Sequence, residues 1–145
     1  MTAIVWDGTT LAADKRGCEQ NLARTVTKLH RAGNGNLLGF CGVLEQGLHL
    51  VDWYNRGADP AEWPAFQTAP GDDWTVLVVV TPTGVFTYGK LPIRRPLEDP
   101  FMAWGSGREL AIGAMAAGAD ARTAVEIAAR FDTGVGNGID TLRLE

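Results

Sequence analysis

Two cysteines in 145 residues, Cys18 and Cys41, are too few to staple a fold. They read as reduced thiols, or at most as one bridge. Histidine is equally scarce, at His30 and His49, and neither has a second His, Cys or carboxylate set at ligand spacing. No metal centre is expected. No run of Lys or Arg forms a patch, and thirteen basic against seventeen acidic residues leave a net charge of -4. That balance points away from nucleic acid and acidic membrane surfaces as partners. The longest aliphatic run, Val76 to Val80, is far too short to cross a bilayer. No basic segment followed by an apolar core opens the chain, so no signal peptide is expected and the reading is cytoplasmic. The glycine-rich stretch from Thr133 to Gly138 leads into no strand-to-helix switch, so it matches neither a phosphate loop nor a dinucleotide fingerprint. No cofactor is expected.

What is present is an ordinary globular composition, 46% apolar and 21% charged, enough for one domain over 1–145 with a substantial core. Asp7-Gly8 is a strong hairpin turn between Ala3–Trp6 and Thr10–Ala13. Thr25 to Arg31 alternates, with Val26, Lys28 and His30 on one face, and predicts a strand. A turn at Gly33–Asn36 leads to a largely buried strand, Leu37–Cys41, where Cys41 makes a poor thiol nucleophile. From Val43 the period becomes helical through Leu44, Leu48, Val51 and Tyr54, ending at Gly57 and Pro60.

Residues 58 to 73 carry Pro60, Pro64, Pro70 and Gly71, and read as an irregular excursion pinned by Trp63 and Phe66. A third hairpin runs Trp74–Thr81 and Val85–Tyr88, followed by a proline-punctuated connector and a short strand, Phe101–Trp104. Two Ala-rich helices follow, Arg108–Ala117 stopped by Gly118 and another capped by Asp120, then a last strand at Ile139–Leu144. Strands, helix, strands, helices and strand make an α+β chain. Helices on each side of two antiparallel sheets are one natural packing.

Four landmarks then stand in order behind Thr2: Leu-Ala-Ala-Asp ending at Asp14, Lys28, Gly39-Phe40-Cys41-Gly42, and Gly105-Ser106-Gly107. Together they resemble the HslV peptidase and proteasome β-subunit family of N-terminal nucleophile hydrolases, over nearly the whole chain. The resemblance implies a four-layer αββα sandwich and a threonine peptidase. Thr2, exposed by removal of Met1, would attack the scissile carbonyl, and its own α-amine would relay the proton, since such an amine titrates at about 7.7–8. Lys28 would sit beside the hydroxyl as an ammonium, with Asp14 holding it. The Gly42 N–H would stabilise the oxyanion, and Ser106 would bond the amine end of Thr2. Val26, His30 and Phe40 would line the pocket for the residue before the cut, and Asp132 would support the site.

The family's second central helix has no counterpart in residues 58 to 73, so the central helical pair is shortened. The resemblance further implies unfolded polypeptide substrates, self-association into a ring or double ring, and a separate ATP-dependent unfoldase. Two other readings stand beside it: a structural member of the fold that keeps Met1, and an amidase acting on a small molecule. Several residues also have purely structural readings. Lys15 competes with Lys28 as the amine beside the site. Ser106 to Glu109 forms a capping-box pattern, which explains that serine by helix capping. Gly39 and Gly42 are also readable as simple strand-end glycines.

Overall fold

The computed structural model describes residues 1–145. Two antiparallel sheets form its centre. The first has the order β10-β1-β2-β11, built from Met102–Trp104, Ile4–Trp6, Leu11–Asp14 and Ile139–Leu142. The second runs β5-β6-β7-β8-β9, from Leu29–Arg31, Leu37–Cys41, Val76–Thr81, Gly84–Tyr88 and the two-residue edge strand Arg95–Pro96. Helices α2 (Arg108–Ala116) and α3 (Ala121–Phe131) cover the first sheet, and α1 (Leu44–Asn55) covers the second. The layers are therefore αββα, as the resemblance implied.

This layering explains the strand sequences. A strand covered on both faces has no polar side, so Val76–Val80 reads as a continuous apolar run. Val78 and Val80 face the first sheet, while Leu77 and Val79 face α1. In β1, Ile4 enters the core between the sheets and Val5 the core beneath α2 and α3. That third core is built on alanine: Ala3, Ala12, Ala103, Ala111, Ala121, Ala124 and Ala128 are buried there. Small side chains let two helices lie close to the sheet. At Gly39 the sheets lie close, since a Cβ there would meet Ile4 of the first sheet at 3.2 Å, besides Leu29 of its own sheet at 3.0 Å.

Several expectations change. Thr25 to Arg31 is not one strand. A separate hairpin, β3 (Arg16–Glu19) with β4 (Leu22–Thr25), is followed by an extended link and then β5. Alternation alone missed it because β4 is exposed on both faces and carries no inward pattern. Lys28 thus lies in the link, not within a strand. Helix α1 forms where its spacing indicated, but Gly47, Leu50 and Trp53 are its buried residues. Leu44 and Leu48 face outward, while the Trp53 ring packs inward beside Trp63 and Tyr88, at centroid distances of 4.8 and 5.0 Å.

Residues 58 to 73 hold two 3-10 turns, Pro60–Glu62 and Ala65–Thr68, in place of a second helix. Gln67, only 1% exposed, ties the excursion down by donating to Thr75 O at 2.6 Å and Gly89 O at 2.7 Å. No helix is long and apolar enough to cross a membrane.

Candidate active site

The hairpin β1–β2 places Thr2 and Asp14 at one end of the first sheet, and the link before β5 brings Lys28 to the same end. Thr2, Asp14 and Lys28 are 5%, 1% and 4% exposed. Lys28 Nζ donates to Asp14 Oδ1 at 2.8 Å and to Thr2 Oγ1 at 3.1 Å. Burial lowers the Lys28 pKa from the ordinary lysine value, and the charge and hydrogen bond of Asp14 partly offset that loss. Lys15, the alternative amine, turns elsewhere: its Nζ bonds Asp140 Oδ2 at 2.8 Å and Thr27 Oγ1 at 3.0 Å.

Asp14 is saturated with donors. Besides Lys28, its Oδ1 accepts the Ala3 N–H at 3.0 Å, and its Oδ2 accepts Arg16 N–H and Gly136 N–H, each at 3.1 Å. Four donors fix the carboxylate and keep it a rigid anchor for the ammonium. Gly136 lies in the glycine-rich loop, which the sequence had left without a task. The Arg16 guanidinium holds that loop through Asn137 Oδ1 at 2.9 Å and Thr133 O at 2.6 Å. Arg16 was not singled out from the sequence, and its neighbour Asp14 was the only available signal.

On the opposite side of Thr2 stand Ser106 and Asp132. Ser106 Oγ donates to Asp132 Oδ2 at 2.6 Å and accepts the Thr2 N–H at 3.2 Å. The capping-box alternative for Ser106 does not form: Gly107 is the N-cap of α2, with no side-chain cap bond. Asp132 also accepts the Gly134 N–H at 2.8 Å. Its carboxyl is held below the ordinary range, first by the Ser106 hydroxyl and then by that amide. Gly105, at φ +98°, lets the chain pass directly against the Thr2 carbonyl, where a Cβ would collide, and Gly107 N–H bonds Thr2 O at 3.0 Å.

Met1 stands in front of this assembly. Thr2 Oγ1 donates to Met1 O at 2.6 Å, Met1 is 67% exposed, and its side chain lies against Gly134. With Met1 in place the Thr2 nitrogen is an amide and carries no basic lone pair.

Gly42 follows β6 at φ +134°, ahead of α1, and its N–H has no acceptor within the chain. Val26 and His30 are half-buried, and Phe40 is 3% exposed. Phe40 points into the core under α1, where Gly47 leaves room for its ring, and His30 stacks on it with centroids 6.0 Å apart. His30 Nε2 is buried without a partner. Both cysteines are free, and burial pushes the Cys41 thiol up, away from thiolate chemistry.

No family model matches the chain, and no curated protein matches it. Solved structures do. Eukaryotic HslV from Trypanosoma brucei superposes with a TM-score of 0.74 at 22% identity, over 99% of this chain and 98% of that one. Thiobacillus denitrificans BPH matches over the same shares with a TM-score of 0.70 at 20% identity, and its complex with epoxomicin with 0.72 at 20%. The chain has the fold of the HslV and proteasome β-subunit family, end to end.

Proposed function

We propose that this protein is an N-terminal-threonine peptidase that hydrolyses unfolded polypeptides by acyl transfer through Thr2. The observation that carries the reading is the buried Asp14–Lys28–Thr2 line, with 2.8 Å and 3.1 Å between successive polar atoms. A buried ammonium beside a hydroxyl favours the alkoxide developing on it. Structural neighbours that include HslV, and BPH in complex with epoxomicin, support the same reaction class.

Removal of Met1 turns the Thr2 nitrogen into a primary amine beside Ser106 Oγ. As Thr2 Oγ1 attacks the scissile carbonyl, its proton passes to that amine, directly or through one water. The tetrahedral oxyanion takes the Gly42 N–H, and collapse expels the leaving amine, which carries away the proton. Water then attacks the Thr2 ester, giving up a proton to the α-amine; collapse breaks the bond to Oγ1 and releases the new carboxylic acid, and the α-amine returns that proton to the Thr2 oxygen. Lys28 stays an ammonium throughout. Asp132 keeps the Ser106 hydroxyl engaged, so its oxygen is turned to accept from the amine.

The 1–145 chain acts as a single domain in this reading, in the cytoplasm, within a ring or double ring of its own copies. A separate ATP-dependent unfoldase feeds it. Val26 and His30 flank the site as pocket residues. Phe40 shapes that pocket from beneath, by supporting the His30 ring. Thr2→Ala tests the reading: loss of peptide hydrolysis with an unchanged fold is expected, and unchanged turnover overturns it. One observation favours a second reading. Met1 O takes the Thr2 hydroxyl at 2.6 Å, so a form that keeps Met1 is a closed, structural member of the fold. Intact mass separates the two.

A further inference from the structure

We infer that Thr75, locked in place by Gln67, is the positioning residue that leaves the Gly42 N–H free for the oxyanion; this rests on the acyl-transfer reading of Thr2. At the junction of β6 and α1 two successive amides, Gly42 and Val43, lie beside one threonine. Thr75 Oγ1 accepts the Val43 N–H at 3.3 Å and donates its own proton to Gln46 Oε1, in the first turn of α1, at 2.9 Å. The Val43 amide is thereby consumed, and the Gly42 amide is left without an acceptor. Val43 is the N-cap of α1 and makes no side-chain cap bond, so Thr75 supplies from outside the tie that the helix start lacks.

The same side chain fixes the backbone turn. A Cβ on Gly42 would collide with Thr75 Oγ1, Cα and Cβ, so the glycine is pressed flat against that residue. Its φ of +134° belongs to glycine, and a free glycine has many other choices. Contact with Thr75 on one side and the Cys41–Val76 strand pairing on the other remove them.

Thr75 is held in turn. It is 1% exposed, and Gln67 makes a two-way clasp with its backbone: Gln67 Nε2 donates to Thr75 O at 2.6 Å, and Thr75 N–H donates to Gln67 Oε1 at 3.1 Å. Gln67 sits in the second 3-10 turn of the excursion. That excursion, where a helix is missing, therefore reaches the oxyanion amide through one glutamine and one threonine. Neither residue hydrogen-bonds Thr2, so their effect is on geometry alone.

The test is steady-state hydrolysis of a fluorogenic peptide by the full chain lacking Met1, for wild type, Thr75→Val, Thr75→Ser and Thr2→Ala. Thr75→Val keeps the shape and removes the hydroxyl. Loss of one oxyanion donor costs about 10²–10³ in kcat, so loss of its alignment is expected to lower kcat by about tenfold or more, with KM within twofold. Thr75→Ser, which keeps the hydroxyl, is expected to restore kcat to within about threefold of wild type, a pattern that packing alone does not produce. Gln67→Glu, which keeps the size but loses the amide donor, is the second variant and is expected to lower kcat in the same way. Equal kcat in wild type and Thr75→Val overturns the positioning role while leaving Thr2 as nucleophile. A wild type no faster than Thr2→Ala overturns the acyl-transfer reading and the inference with it.

Discussion

The Lys28 ammonium lies 2.8 Å from Asp14 Oδ1, with side chains 5% and 0% exposed. A buried pair of this kind does not have to stabilise a fold, because desolvation of both charges opposes their attraction. Its position against Thr2 Oγ1 gives it a different use. The expected consequence is a linked loss. Lys28→Ala leaves Asp14 buried and uncompensated, so it is expected to cost about 3–5 kcal/mol in denaturant unfolding. The same variant is expected to lose peptide hydrolysis. Full activity in a stable Lys28→Ala protein contradicts both roles.

The pH profile of kcat/KM follows from the two amines. Activity is expected to rise through about pH 7.7–8, the range in which an α-amine becomes a free base. It is expected to fall again below the ordinary lysine range, because burial lowers Lys28 and the ammonium is lost early. A profile with no alkaline limb up to about pH 10.4 speaks against an ammonium at Lys28.

Asp132 gives an acid-side prediction. Its folded pKa is depressed by the Ser106 and Gly134 hydrogen bonds, so its stabilisation is present above the unfolded value of about 3.9 and is lost as pH falls through the folded one. Asp132→Asn removes that dependence. The stability gap between wild type and variant, read from thermal melts, is expected to be constant above about pH 5 and to close at lower pH.

Glycine substitutions separate the two forms of the chain. Gly105→Ala places a Cβ against the Thr2 carbonyl at φ +98°, where strain alone costs about 1–3 kcal/mol, so both forms are destabilised. Gly134→Ala meets Met1 first, at 2.7 Å. It is expected to destabilise protein that retains Met1 and to spare protein that starts at Thr2. Equal melting shifts in the two forms contradict the placement of Met1 against the loop.

Much of this is legible in the sequence, and the reasons differ by residue. Strands β6 and β7 announced themselves because both faces are buried and their apolar runs are unbroken. Asp14 and Lys28 came from the ordered landmarks of the resemblance, and a lysine within an alternating stretch needs a partner, whereas Lys15 can point into water. Alternation placed Lys28 within a strand, whereas the exposed hairpin before it hides the break. Helix α1 was found by its period, but which stripe faces inward depended on Trp53 meeting Trp63 and Tyr88 from distant segments. Ser106 carried two readings, and its partners Thr2 and Asp132 lie 104 and 26 residues away, beyond the reach of any local pattern. The glycine-rich loop showed no pattern at all, because it works through backbone N–H groups at Gly134 and Gly136, which any sequence possesses.

The proposed reaction depends on Thr2 becoming a free N-terminal nucleophile. Treating the native protein with epoxomicin, followed by intact and peptide mass spectrometry, is the sharpest test of this. Chains that begin at Thr2, each carrying one adduct that maps to Thr2, are expected. Chains that all retain Met1, or that begin at Thr2 and take no adduct, contradict it.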